Sequence, residues 1–211
     1  MMVEIADARR AFEERIGYRF SNPRLLEGAL THPSAAGAAK RVRDGAGYER
    51  LEFLGDRVLG LVVAELLLER FVKEDEGAIA KRHTALVRKE TLLEVAGRIE
   101  LLSAMERAPG EGRAQRRQLE TAAADGVEAL IGAIFIDGGF AAARGFVRAW
   151  WTAMLDQYSA PPKDPKTTLQ EWAQSLGLPL PVYRVLASDG PDHQPTFVVA
   201  AEVADRLPTH G

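Results

Sequence analysis

Eight residues, Glu49-Arg-Leu-Glu-Phe-Leu-Gly-Asp56, constrain this chain more than any other stretch. Three carboxylates stand inside an apolar run that continues through Val58, Leu59, Leu61, Val62 and Val63. A helix turns about 100° per residue, so Glu49, Glu52 and Asp56 share an arc of about 60°. An acidic stripe bordered by core residues is expensive, because an unpaired buried carboxylate costs several kcal/mol unless a cation or donors compensate it.

A second acidic pair answers the first. Asp125 and Glu128 lie just ahead of Ala129-Leu-Ile-Gly-Ala-Ile-Phe135, and their i, i+3 spacing puts both on one helical face. Two apolar helices packed with these faces together would gather the carboxylates at one spot. The simplest relief for their repulsion is a divalent metal. Oxygen ligands, with no Cys and little His, point to Mg²⁺ or Mn²⁺ and away from zinc. An isolated Glu-Arg-Leu-Glu reads more simply as an exposed face with Glu–Arg pairs. The apolar flanks and the second pair favour a site.

With 211 residues, 46% of them apolar, the chain can bury a real core. No window of about 18 uncharged apolar residues occurs, so no membrane span is expected. The charged N-terminus lacks the apolar core of a secretion signal. The absence of Cys excludes disulfides and fits a cytoplasmic protein. A net charge of −3 gives no global hint of nucleic acid, so any such binding needs local basic patches.

Residues 3–158 read as successive helices. Gly17 ends the first, Asn22-Pro23 starts a short second, residues 35–47 read as a loop, and the acidic segment opens a helix over about 48–71. Further helices are expected over 76–100. Residues 109–117 read as a polar, basic loop. The second acidic helix runs to about Asp137, where Gly138-Gly139 stops it, and a last helix carries Trp150 and Trp151. His83, beside Lys81 and Arg82, reads as solvated or as facing a nucleic acid. A Pro-rich linker at 159–165 separates domain 1–158 from a piece at 166–211, which holds a helix at Thr168–Leu176 and strands at Val182–Ala187 and Thr196–Val203. The fold class is mostly α, with a small α+β unit at the end.

The runs ERLEFLGD (49–56) and DGVEALIGAIFIDGG (125–139) closely resemble the ribonuclease III family. IGYRF (16–20), LLEGALTHPS (25–34) and LVRKETLLEVA (86–96) agree in order. DPKTTLQEWAQ (164–174), GPDH (190–193) and Phe197 resemble the start of a double-stranded RNA-binding domain. The match rests on several motifs in order over essentially the whole chain.

The resemblance implies a homodimeric endoribonuclease that hydrolyses both strands of double-stranded RNA with Mg²⁺, for which Mn²⁺ can substitute. It leaves 5′-phosphate and 3′-hydroxyl ends with short 3′ overhangs, and processes ribosomal RNA precursors and structured messages. No membrane and no small-molecule cofactor is implied. By the same resemblance Glu52, Asp125 and Glu128 hold the metal, and Asp56 and Glu128 are the residues whose loss abolishes cleavage. Glu49 edges the acidic cluster. Phe53 packs into a partner subunit. Thr167, Gln170, Glu171, Gln174 and His193 contact RNA, whose wide minor groove presents 2′-hydroxyls to such side chains. The chain ends at Gly211, ahead of that module's third strand and second, Lys-rich helix. From residue 159 onward four Lys/Arg face six Asp/Glu, so the module is expected to be partial and to contribute little affinity.

Two other classes stand beside this one. A non-cleaving RNA-binding protein on the same fold would lack a metal carboxylate. A hydrolase of nucleotides or other phosphoesters would need neither a dimeric groove nor an RNA-binding unit.

Overall fold

A computed structural model describes residues 2–35, 47–105, 113–155, 165–189, 196–203 and 209–210. The chain divides into two compact units, Met1–Pro161 and Pro162–Gly211. Of the linker expected at 159–165, only Pro165 lies within the described residues.

The first unit is helical. Helix α1 (Met2–Ile16) stops where Gly17 takes φ 70°. Helix α2 (Pro23–Leu30) begins with Pro23 at its first turn and Asn22 as cap, whose side chain accepts from the Arg24 N–H at 3.2 Å. The Asp137 carboxylate also holds this start in place, accepting from the Ser21 and Asn22 N–H groups and the Tyr18 hydroxyl, each at 2.8 Å. Helix α3 (Tyr48–Arg70) is the expected acidic helix. Helix α4 (Glu76–Val87) is capped by Asp75, which accepts from the Ala78 N–H at 2.8 Å, and α5 (Lys89–Arg98) and the short α6 (Leu101–Ala104) follow.

Helix α7 (Arg113–Leu155) differs from expectation at its start, while its break falls at the expected glycine pair. It begins at Arg113, inside the stretch read as a loop; Ala, Arg, Gln, Leu and Glu there are good helix formers, and the breakers Pro109, Gly110 and Gly112 all precede them. At Gly139 the helix kinks (φ 75°, ψ −174°) and resumes at once. By length and composition Gln118–Leu155 could cross a membrane, yet half of its most apolar window is buried in this fold.

Helices α3 and α7 form the centre of the unit. Leu51, Leu59, Val62, Val63 and Leu67 pack with Val127, Leu130, Ile131 and Ile134 in one core. Trp151 is fully buried and donates its indole N–H to the Leu86 carbonyl at 2.9 Å. His83 is not the solvated residue expected: its Nε2 lies 2.9 Å from the Gly60 carbonyl oxygen. Arg82 is only 1% exposed, forks onto Glu74 at 2.7 and 2.6 Å and covers the Phe71 ring. A buried guanidinium needs such a bidentate partner.

The second unit holds α8 (Pro165–Ser175) and an antiparallel sheet ordered β1 (Val182–Asp189), β2 (Thr196–Glu202), β3 (Thr209–His210). A bulge between Val185 and Ala187 shifts the register of β1 on β2. The expectation that the chain stops before a third strand is corrected by β3, which pairs with β2 at Ala200↔His210 and Ala201↔Thr209. Two residues are too few to show the alternation that marks a strand in sequence.

Candidate metal centre

The crossing of α3 over α7 makes the site. A methyl group on Gly55 would overlap the Glu128 carbonyl and stand 2.9 Å from the Gly132 nitrogen. One on Gly132 would overlap the Leu51 carbonyl and stand 3.2 Å from the Gly55 nitrogen. The two backbones therefore touch, which only glycine allows here. Glu52 lies one turn before Gly55. Glu128 and Asp125 lie one and two turns before Gly132. The contact brings all three carboxylates to one spot, with an oxygen from each within 4.8 Å of the others.

Around this spot the packing is apolar and close. The buried Tyr48 ring stands at the first turn of α3, and its hydroxyl donates to the Ala122 carbonyl at 3.0 Å, one turn before Asp125. Among the described residues none of the three carboxylates forms an ion pair with a basic side chain. Burial, then Asp125 and Glu52, push the Glu128 carboxyl up to about 7. Burial, then Asp125 and Glu49, push Glu52 up; burial also raises Asp125, against the pull of the Lys89 and His32 charges. Three acids that resist ionising together form a ready ligand set for a hard divalent cation.

The α3 stripe is not gathered as a whole. Glu49 is exposed at the first turn, near enough to raise Glu52. Asp56 lies outside the three-carboxylate group, half-buried, in contact with the Arg57 guanidinium. Phe53 is 65% exposed, with Arg57 over its ring at 5.0 Å.

Residues 22–155 match the Ribonuclease-III-like family model, and residues 165–211 match the double-stranded RNA binding motif. The chain belongs to the ribonuclease III family. It is 45% identical to Ribonuclease 3 of Bradyrhizobium diazoefficiens over 205 residues, covering 97% of this chain and 81% of that one. With Ribonuclease 3 of Caulobacter vibrioides it shares 47% over 192 residues, 90% of this chain and 82% of the relative. The nuclease domain of Campylobacter jejuni ribonuclease III superposes at a TM-score of 0.56 with 32% identity, over 67% of this chain and 96% of that domain. Dicer from Pichia stipitis shares the fold alone, at TM-score 0.52 and 19% identity over 92% of this chain and 87% of that one.

As a ribonuclease III the chain is an endonuclease of a divalent-metal-dependent family, and its second match adds double-stranded RNA binding. On α8 of that unit, Thr167, Gln170, Glu171 and Gln174 follow one another at helical spacing; the first two are half-buried and the last two exposed. His193 lies outside the described residues.

Two neighbours of the metal centre escaped the sequence reading. Lys89 donates to the Thr121 hydroxyl at 2.7 Å, one turn before Asp125. His32 stacks edge-on against Tyr48 (centroids 5.4 Å apart), and its Nδ1 accepts from the Ser34 N–H at 3.1 Å. Their motifs, LVRKETL and LTHPS, were visible in sequence, but nothing in their spacing placed them beside Asp125.

Proposed function

We propose that this chain cleaves both strands of double-stranded RNA with Mg²⁺, as a homodimer, leaving 5′-phosphate and 3′-hydroxyl ends with short 3′ overhangs. The observation that supports this most is the convergence of Glu52, Asp125 and Glu128 within 4.8 Å in an apolar crossing, all with raised pKa. These three would hold the ion, and its chemistry when bound is to lower the pKa of water and to steady charge at the scissile phosphate.

The chain's own residues set the rest. The Gly55–Gly132 contact holds the ligands in place, so little reorganisation accompanies reaction. Asp56 and Glu128 are assigned as the residues whose loss abolishes cleavage. Water oxygen joins phosphorus, the bond to the 3′ oxygen breaks, and that oxygen takes a proton. Thr167, Gln170, Glu171, Gln174 and His193 are assigned to the RNA backbone and minor groove. Ribosomal RNA precursors and structured messages in the cytoplasm are the proposed substrates.

Phe53 supports the dimer. A large exposed aromatic beside a cavity of about 360 Å³, lined by Glu49, Arg50, Leu51, Leu54 and the exposed Ile136, suits a partner surface. The Campylobacter domain is itself described with a region involved in dimer formation.

The test is an end-labelled duplex RNA incubated with Mg²⁺ or Ca²⁺, using Asp56→Asn and Glu128→Gln as controls. Staggered cuts with Mg²⁺ alone, lost in both variants, are expected. Hydrolysis of single nucleotides without duplex cutting would overturn the reading.

A further inference from the structure

The metal centre as described is too acidic to receive its substrate unaided. Three carboxylates and one divalent ion sum to −1, and a phosphodiester carries the same sign. Some basic group must meet the strand near the ion. Among the described residues three basic side chains act on the cluster. Arg57, whose charge favours ionised Glu128, is engaged with Asp56 and the Phe53 ring. His32 has its Nδ1 turned to Ser34.

Lys89 is different. It is exposed at the start of α5, and among the described residues it donates to a neutral oxygen, Thr121 Oγ1 at 2.7 Å. No carboxylate forms an ion pair with it among the described residues, so its charge is not cancelled locally. Thr121 and Asp125 are i and i+4 on α7, one above the other on the same face. The ammonium is thereby held at a residue about 6 Å along the axis from Asp125. That is close to the step between neighbouring phosphates on an RNA strand. Burial pushes Asp125 up, and the charge of Lys89 is the largest influence opposing it, as expected for a cation facing the cluster.

We propose that Lys89 is a phosphate-contacting residue of the nuclease site, anchored by Thr121 and gripping the phosphate next to the one that is cut. Resting on the metal-centre reading above, it adds a direct contact from protein to strand and sets which linkage lies over the ion. A lysine acts here as a point charge, so arginine can replace it and glutamine cannot.

The experiment compares the full chain with Lys89→Gln and Lys89→Arg on a duplex RNA. One set of duplexes carries a neutral methylphosphonate at the phosphate on either side of the cut. Lys89→Gln is expected to weaken binding in Ca²⁺ and raise KM about tenfold, and to lower the slope of log Kd against log salt by about 1. Mn²⁺ affinity of the RNA-free protein should stay within about twofold, because Lys89 is no metal ligand. One of the two methylphosphonates should cost the unmutated chain as much as Lys89→Gln does and cost the variant nothing further. Lys89→Arg should restore binding. An unchanged salt slope in Lys89→Gln, or equal methylphosphonate penalties in both proteins, would overturn the proposal. A chain that binds RNA but never cuts would instead sink the nuclease reading, and the salt slope would still judge Lys89.

Discussion

On α3, Glu52 faces Asp125 and Glu128 with no basic side chain in ion-pair range among the described residues. About 20 Å further along the same helix, Glu65 and Glu69 are met by two arginines from the second arm of α7. Arg144 reaches Glu65 at 2.5 Å and Arg148 reaches Glu69 at 2.7 Å. One helix pair thus carries acids under two regimes. At the second contact each carboxylate has a guanidinium and the groups are partly exposed, which is how surface helices are ordinarily laced together. At the first, burial and mutual repulsion outweigh the pull of Lys89, His32 and Arg57. Stability alone would favour removing such a cluster. Its presence where two glycines bring the backbones into contact marks it as a place for a ligand rather than a fastening.

The difference can be broken most strongly at Glu128. Glu128→Gln should lower duplex cleavage by about a thousandfold or more, the scale of losing several kcal/mol of charge stabilisation at an ion. Circular dichroism should show the same helical fold and a metal-free melting temperature at neutral pH no lower than before. A marked loss of folded protein would mean that the cluster is structural.

The crossing itself is the next lever. Gly55→Ala should cost about 3 kcal/mol in a urea titration, because the added methyl meets backbone that cannot step aside. It should also weaken Mn²⁺ binding.

Acidity sharpens the contrast further. With Glu128 at about 7 in the fold against an ordinary 4.5, the folded protein binds more protons than the unfolded chain between those values. Metal-free stability should therefore fall as pH rises from about 4.5 to about 7, and then level. Added Mn²⁺ should raise the melting temperature more at the upper end of that window, since the proton must leave first, with affinity gaining at most about tenfold per pH unit. Glu128→Gln should flatten both trends, measured by calorimetry across the window.

The smallest effect belongs to the paired end. Arg148→Ala should move the melting temperature by no more than about 2 °C and leave cleavage unaltered. A larger shift would show that the arginine contact carries more of the α3–α7 interface than its exposure suggests.

Much of this contrast could be read before any coordinates. The spacing of Glu52 within apolar neighbours, and of Asp125 with Glu128, is local information, and helical periodicity converts it directly into a shared face. The interruption at Gly138-Gly139 was equally visible, because a glycine pair is a local signal. What stayed hidden depends on partners distant in sequence. Asp56 lies on the arc of Glu52 yet stays out of the group and meets the Arg57 guanidinium instead. Lys89 reaches the site through Thr121, 32 residues away. His83 looked like a surface residue until the Gly60 carbonyl was placed beside it. Strand β3 exists only by virtue of the free edge of β2.

Asp137 carries a mechanical corollary. By clasping Tyr18, Ser21 and Asn22 it hangs the start of α2 from the same rod that bears Asp125 and Glu128. The segment ending in His32 is thus tethered to α7 at one end and leans on Tyr48 at the other. Any tilt of that rod carries the start of α2 and the two α7 carboxylates together, so they would travel as a block instead of coming apart.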